Sequence, residues 1–293
     1  MEQLIKKAYA KLNLVLDVCN KREDGYHELR TVMQTVSLFD ELTFRKREDR
    51  EIRLEVHAAG QDVPCDQNNL VHRAVRAVME RYEACGGVDI VLKKQIPAAA
   101  GMAGGSADAA MAIMACDELY ELHMDRETMC ELALGIGADV PYCLTGGTVL
   151  CEGIGEIMTP LPKLPWMYFV IVKPDLSVST AEVYGALDST RSTWHPDVDG
   201  MIRAIIKKDT GAVTNCLGNL LESVTIPKHP VIDERKQMLM DCGAEGVLMS
   251  GSGPTVFGIF FERERQRRAY EILCQIDGIG QVFMAEPVAD IRS

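Results

Sequence analysis

The feature that most constrains this chain is a loop of small residues at positions 97–110, which follows a strand pattern and opens an Ala- and Met-rich helix pattern. Small side chains let the backbone approach a ligand closely, so that successive N–H groups can point at an anion. The start of a helix adds unpaired donors and partial positive charge. The pattern predicts a phosphate-binding loop, although a tightly packed connector without a ligand would have a similar composition.

This loop contains neither the G-x-x-x-x-G-K-[ST] pattern of a P-loop nor the G-x-G-x-x-G pattern of a dinucleotide site. Strand and helix patterns along the chain also do not alternate as they do in a Rossmann domain, so we predict an α+β fold. At Gly104 and Gly105 we expect positive φ angles and no room for a side chain beside a bound phosphate.

Apolar periodicity locates the main elements. Alternation from Leu12 to Val18 predicts a strand with one buried face, and the charged stretch from Arg45 to Arg53 predicts a solvated hairpin. Asn69 stands where the N-cap of a helix should be. Further helices are predicted near 70–86, 105–121, 125–136, 180–187, 197–207, 230–241 and from 263, and further strands near 30–38, 41–46, 51–57, 88–94, 146–151, 166–172, 245–249, 255–261 and 281–285.

Three prolines between two strand patterns mark the predicted domain boundary, at Pro160, Pro162 and Pro165. We therefore divide the 293 residues into an N-terminal domain, 1–160, and a C-terminal domain, 161–293. A net charge of −12 disfavours binding to nucleic acid or to an anionic membrane surface. No leader pattern and no membrane-length apolar run is visible, and the ten cysteines include no C-x-x-C pair, so we expect a cytoplasmic protein with reduced thiols and no protein-held metal.

Two isolated charged residues could carry chemistry. Asp139 lies two positions before Pro141, where we expect an extended, rigid loop that could hold a general base. An aspartate that only caps or ends a helix would look the same. Lys11 begins a strand beside Asn13 and could equally be a solvated lysine. A second Gly-rich segment, 249–255, is predicted to join two strands.

Taken together, these segments resemble the GHMP kinase superfamily. The matching segments occur in the same order and at similar spacing over roughly residues 8–260. They are Ala10–Leu14, Lys21–Leu29, the loop 97–110, Ala138–Pro141, Gly146–Thr148 and the turn 250–255. The Asp-Gly-Tyr-His run, residues 24–27, resembles members that act on a cytidine-diphosphate-linked polyol.

This resemblance implies a two-domain kinase with ATP and substrate meeting in the cleft between the domains. It implies ATP and Mg²⁺ as cofactors and phosphorylation of a small-molecule hydroxyl in isoprenoid precursor biosynthesis. Asp139 resembles the family's catalytic base and Lys11 its cationic partner, while Asn13, Tyr26, His27 and Tyr184 resemble substrate-binding residues. The loop residues that would bind the triphosphate are Pro97, Ala98, Ala99, Ala100, Gly101, Met102, Ala103, Gly104, Gly105, Ser106 and Ala107.

The chain departs from the family pattern at two places in that loop. Met102-Ala103 stands where many members have Leu-Gly, and Ala107 stands where many have a second serine. We therefore assign no protein ligand to Mg²⁺, which can be bound through ATP oxygens and water. Alternatives to the polyol kinase are a GHMP kinase for another alcohol and a non-catalytic nucleotide-binding regulator on the same scaffold. The presence of both Lys11 and Asp139 argues against the regulator.

Overall fold

A computed structural model describes residues 3–189 and 194–291. In chain order its strands are β1 Gln3–Lys21, β2 His27–Lys46, β3 Ile52–His57, β4 Val88–Lys93, β5 Thr148–Gly153, β6 Ile157–Pro160, β7 Tyr168–Lys173, β8 Gly218–Asn219, β9 Gly246–Met249, β10 Val256–Phe260 and β11 Gln281–Ala285. Its helices are α1 Leu70–Arg81, α2 Gly104–Tyr120, α3 Arg126–Ile136, α4 Val140–Thr145, α5 Thr180–Leu187, α6 Val198–Lys207, α7 Thr210–Asn215, α8 Glu222–Lys228, α9 Val231–Asp241 and α10 Arg263–Leu273.

The strands form two sheets, and the predicted α+β class is confirmed. In the larger sheet the strand order is β3-β4-β2-β1-β8, with β5 and β6 extending from β2. In the smaller sheet the order is β11-β7-β10-β9. The first sheet is built mainly from the N-terminal half and the second from the C-terminal half, but β8 pairs in parallel with β1 and so joins the two halves.

The long first strand is buried on both faces, which corrects the one-face prediction. Asn13, Val15 and Asp17, expected on the solvent side, are buried along with Leu12 and Leu14. The reason lies outside the strand itself. One core cluster, formed with α1 and α2, covers part of the sheet, and a second core cluster joins Leu12, Leu14 and Val15 to apolar residues of β7, β10 and α6.

The charged stretch after β2 is not a hairpin. β4 lies between β2 and β3, antiparallel to the former and parallel to the latter. The chain therefore passes across the end of β4, where the backbone N–H of Gly87 donates to Asp49 at 2.6 Å and that of Val88 donates to Glu51 at 3.0 Å. Helix α1 then makes the crossover that two parallel strands require.

Several helix starts agree with the sequence. Asn69 caps α1 by accepting a hydrogen bond from the backbone of Val71, at 2.9 Å, and α2 and α3 begin within one residue of their predicted positions. The first helix ends at Arg81, before the expected end near Gly86. Within the described residues, no helix combines the length and the apolar composition that crossing a bilayer requires.

Candidate active site

The side chains of Lys11 and Asn13 project from β1 into a cleft. They are two residues apart on one strand, so their side chains lie on the same side. The ammonium Nζ of Lys11 donates to Asn13 Oδ1 at 2.7 Å, and the Lys11 residue is only 4% exposed. Shifts in the β1–β2 register on either side of this pair, at Tyr9/Lys11 and Asn13/Val15, mark irregular pairing of the kind that re-aims side chains near active sites.

Asn13 is fixed in turn by neighbours that the sequence did not single out. Its amide Nδ2 donates to Thr31 Oγ1 at 2.9 Å, and that hydroxyl donates to the carbonyl of Val15 at 2.7 Å. The backbone N–H of Asn13 donates to Ser250 Oγ at 3.3 Å, and Ser250 Oγ donates to the carbonyl of Gly101 at 3.0 Å. One hydroxyl thus joins the first strand, the small-residue loop and the C-terminal turn.

Asp139 stands directly before α4, in a helical conformation with φ −83° and ψ −12°, and not in the extended conformation we expected. The difference arises because Pro141 falls in the first turn of the helix, where its missing N–H would have had no intrahelical partner. The side chain of Asp139 makes no capping hydrogen bond. The carboxylate Oδ2 lies 3.9 Å from Lys11 Nζ, and the side chain is 36% exposed.

The small-residue loop turns sharply over Ser250. Gly101 has φ +71°, and a Cβ there would lie 2.2 Å from the carbonyl oxygen of Ser250, so only glycine fits without backbone movement. The loop is also tied to β1, because the backbone N–H of Lys11 donates to the carbonyl of Met102 at 3.1 Å. The side chains of Ala100, Met102 and Ala107 are buried, while Ala98 and Ala99 are exposed.

Helix α2 begins without a side-chain cap. Its N-cap residue is Ala103, in the left-handed conformation with φ 56°, and no side chain in the described part of the chain caps the first turn. The backbone donors of the first turn are therefore available to an anion, as the phosphate-loop hypothesis requires. Left-handed φ occurs at Ala99, Gly101 and Ala103 but not at Gly104 or Gly105, so the expected positive φ at that glycine pair is wrong. A Cβ at Gly104 would still crowd Ile96 at 2.9 Å.

A buried charged cluster lies beneath this helix start. Lys94 Nζ contacts Asp40 Oδ2 at 2.5 Å and Asp108 Oδ2 at 2.8 Å, with all three side chains at most 3% exposed. Burial raises the pKa of Asp108 to about 8, although Lys94 acts in the opposite direction. Burial lowers the pKa of Lys94, but the charges of Asp108 and Asp40 outweigh it and raise that pKa above its usual value. The lysine thus stays charged under the loop.

The site also contains two aromatic rings in contact. The centroids of His27 and Tyr184 are 5.2 Å apart, with the ring planes 36° from parallel. Burial raises the pKa of the Tyr184 phenol well above its usual value, and the Asp139 charge adds to this. Tyr26 is 58% exposed at the edge of the site. Asp188 accepts from Lys21 Nζ at 2.5 Å, and its Oδ1 lies 2.7 Å from His27 Nε2.

One cleft of about 700 Å³ contains the predicted catalytic residues and the predicted substrate-binding residues. It is lined by Lys11, Asn13, Tyr26, His27, Gly101, Ser106, Asp139 and Tyr184, all from the sequence-based set. It does not reach the loop residues Pro97–Ala100 or Met102–Gly105. Cleft residues for which the sequence predicted no individual role include Lys21, Thr31, Thr180, Asp188 and Ser252. Thr180 and Ser252 are joined across the cleft wall by a hydroxyl hydrogen bond of 2.9 Å.

The side-chain oxygens on the cleft wall and the N–H groups of the nearby helix start fit nucleotide phosphates with Mg²⁺. Ser106 and Asp139 place hard oxygen atoms on the cleft wall, next to the uncapped helix start. Mg²⁺ in phosphoryl-transfer sites is usually bound by one or two carboxylates together with substrate phosphates and water. Within the described residues no cluster of three or more His, Cys, Asp or Glu side chains could form an all-protein metal site. Most of the metal's ligands would therefore come from the nucleotide and water.

Comparison with known proteins assigns the family. Residues 69–147 match the model for the GHMP kinases N terminal domain, and residues 201–277 match that for the GHMP kinases C terminal. The chain is 46% identical over 286 residues to 4-diphosphocytidyl-2-C-methyl-D-erythritol kinase of Lachnospira eligens, covering 98% of this chain and 99% of the relative. It is 44% identical to the enzyme of the same name from Lachnoclostridium phytofermentans, covering 92% of each.

Solved structures agree with these sequence matches. A crystal structure of 4-(cytidine 5'-diphospho)-2C-methyl-D-erythritol kinase superposes with a TM-score of 0.83 at 33% identity, covering 98% of this chain and 100% of that one. A homoserine kinase from Cytophaga hutchinsonii superposes with a TM-score of 0.75 at 21% identity, covering 96% and 95%, which shows a shared fold. Both halves match in order, and the relatives match almost end to end, so this chain belongs to the GHMP kinases.

Proposed function

We propose that this protein transfers the terminal phosphoryl group of ATP to the 2-hydroxyl of 4-diphosphocytidyl-2-C-methyl-D-erythritol, a step in isoprenoid precursor biosynthesis. The observation that carries the proposal is the shared cleft. Its lining includes the Lys11–Asp139 pair, Ser106 in the first turn of the uncapped helix α2, and the His27–Tyr184 rings. A phosphate donor and a base-bearing acceptor can therefore meet at the charged pair. The names of the relatives support this substrate.

In this proposal Asp139 is the general base. A base must reach the hydroxyl proton, and a carboxylate not engaged in capping, in an open cleft, can do so. Lys11 balances negative charge on the transferring phosphoryl group and stabilises the Asp139 carboxylate 3.9 Å away. Asn13 keeps the lysine in place through the 2.7 Å hydrogen bond. Phosphoryl transfer depends mainly on such positioning and charge compensation.

The residues from Pro97 to Ala107 bind the triphosphate, chiefly through backbone N–H groups at the start of α2. Mg²⁺ would neutralise charge on the phosphates when bound, and Ser106 on the cleft wall has a hydroxyl oxygen that could ligate it. Asn13, Tyr26, His27 and Tyr184 bind the acceptor. Residues 1–160 form the ATP-binding domain, which also contributes Asn13, Tyr26 and His27 to the acceptor site. Residues 161–293 form the substrate-binding domain, which contributes Tyr184, and the enzyme is cytoplasmic.

The test is an acceptor panel. Purified protein with Mg²⁺ and ATP is offered the cytidine substrate, homoserine, mevalonate and galactose, and ADP release is measured. We expect catalytic efficiency with the cytidine substrate to exceed that with the others by orders of magnitude. Preference for another alcohol would make this a different GHMP kinase. ATP binding without turnover on any acceptor would favour the regulator.

A further inference from the structure

Asp188 lines the cleft beside His27, and its two carboxylate oxygens have different partners. Oδ1 is 2.7 Å from His27 Nε2, and Oδ2 accepts from Lys21 Nζ at 2.5 Å. Hydrogen bonds from Lys21 and then His27 hold the pKa of Asp188 below its usual value, so the carboxylate is ionised at neutral pH. An ionised carboxylate only accepts hydrogen bonds, so Nε2 is the donor in this contact.

This contact fixes the tautomer of a neutral His27. With the proton on Nε2, the other ring nitrogen, Nδ1, carries a lone pair and acts as an acceptor. No hydrogen-bond partner of Nδ1 is present within residues 3–189 and 194–291. The ring is also restricted in rotation, because its side chain is only 10% exposed and it packs on Tyr184. His27 lines the cleft, so its Nδ1 is a hydrogen-bond acceptor of fixed identity on a cleft residue.

We propose that Asp188, held by Lys21, is a positioning residue that sets base selectivity by keeping His27 Nδ1 an acceptor. This inference rests on the proposed function and names a determinant of substrate choice at the same site. Cytosine carries an exocyclic amino donor where uracil carries a carbonyl acceptor. Nδ1 can pair with the amino group, whereas against the uracil carbonyl two acceptors would face each other and remain unpaired.

The size of the effect follows from that mismatch. A site built around a hydrogen bond rejects an analogue that cannot form it far more strongly than an apolar pocket rejects a change in size. We therefore expect wild type to favour the cytidine substrate over its uridine analogue by on the order of 10² or more in kcat/KM. Tyr184 and Tyr26 can contribute stacking, which is nearly independent of which base is bound.

The alternative is that Lys21–Asp188 is only a surface ion pair. Lys21 is 54% exposed and Asp188 29%, and exposed pairs of this kind contribute little to stability. Such a pair would leave the cytidine-to-uridine ratio unchanged when broken. The ratio therefore distinguishes a positioning role from a structural one.

The experiment measures kcat/KM for the cytidine substrate and its uridine analogue in wild type, Asp188→Ala and Asp188→Asn. We expect Asp188→Ala to reduce the ratio at least tenfold, because His27 is then free to change tautomer and orientation. Asp188→Asn keeps a carbonyl oxygen that can accept from Nε2, so it should retain most of the ratio. The matched control is Asp199→Ala, which breaks another exposed ion pair, Asp199 with Arg30 at 2.9 Å, outside the cleft lining. It should leave the ratio unchanged.

Two outcomes would overturn the inference: an undiminished ratio in Asp188→Ala, or parallel loss on both substrates in Asp188→Ala and Asp188→Asn. If wild type phosphorylates neither compound, the proposed function fails instead, and the two failures are distinguishable. A ligand-free readout is independent of both. Two-bond ¹H–¹⁵N correlations of His27 should show the proton on Nε2 in wild type, and a proton on Nδ1 of the neutral ring would contradict the proposal.

Discussion

The ammonium Nζ of Lys11 lies 3.9 Å from Asp139 Oδ2, beyond direct hydrogen-bond distance, while the same ammonium lies 2.7 Å from Asn13 Oδ1. The lysine is therefore anchored to its own strand and not to the aspartate. Such an arrangement leaves the carboxylate free to accept a proton from a third group, while a positive charge stays close enough to stabilise it. A general base in a kinase needs both properties.

Asp139→Asn should fold normally and lose at least 10²-fold in turnover, because an amide of the same shape cannot take up the hydroxyl proton. Folding should be unaffected since the side chain makes no capping hydrogen bond. Steady-state kcat and thermal unfolding are to be measured side by side. Asp277→Asn, at an exposed position outside the cleft lining, is the control. Near-normal turnover in Asp139→Asn would remove this residue from the mechanism.

Lys11→Met should reduce turnover while leaving ATP affinity largely intact, because the lost charge matters most in the transition state. The methionine approximates the length of the buried stem, although Asn13 Oδ1 loses its donor. Calorimetric titration with ATP and measurement of kcat separate the two effects. A raised Michaelis constant for ATP at unchanged kcat would reassign Lys11 to nucleotide binding.

Gly101→Ala should weaken ATP binding and destabilise the fold by roughly 1–3 kcal/mol, the range for a strained backbone conformation. Gly101 combines φ +71° with a Cβ position 2.2 Å from the Ser250 carbonyl, so the loop must shift. Gly135→Ala in α3 is the matched control, since no atom of residues 3–189 and 194–291 that could clash lies within 4 Å of its added Cβ. It should stabilise the protein by about 1 kcal/mol or less. Equal stability and equal ATP affinity in the two variants would contradict the tight-loop interpretation.

The sequence predicts local features of this site well. The small-residue loop, the start of α2 near Gly104 and the Asn69 cap all depend on residues close together in the chain, where propensity and capping rules apply. Strand β3 lies within one residue of its predicted bounds, but the charged stretch before it was wrongly predicted to be a hairpin, since nothing local shows that β4 inserts beside β2. The pairing of distant strands is decided by packing over the whole sheet.

Contacts between residues far apart in the sequence could not be predicted from local sequence patterns. Asp188 meets His27 across 161 positions, and Ser250 meets Gly101 across 149. Asp188 carries no signal in its own neighbourhood, because an aspartate just after a helix is common. Ser250 lies in a Gly-rich turn, and the connection of β9 to β10 is sufficient reason for such a turn. A role for its hydroxyl becomes visible only in the structure, where it contacts the loop at Gly101.

Asp108 should make stability depend on pH in an unusual direction. Its pKa in the folded protein is about 8, raised chiefly by burial, against an ordinary value of 3.8. Between these values the folded state binds more protons than the unfolded state, so the free energy of unfolding falls as pH rises. The contribution is fully present below 3.8 and is lost as pH rises through about 8. One proton corresponds to a slope of at most about 1.4 kcal/mol per pH unit.

Asp108→Asn replaces the carboxyl by a neutral group of the same shape, which cannot ionise under the phosphate loop. Urea unfolding of wild type and Asp108→Asn at pH 6, 7.5 and 9 should therefore give curves that diverge, with wild type losing more stability toward pH 9. The difference between the two proteins isolates this carboxyl from other groups that titrate in the same range. Asp277→Asn should run parallel to wild type. If Asp108→Asn also runs parallel, the buried carboxyl is already ionised throughout, and Lys94 holds two carboxylates at once beneath the start of α2.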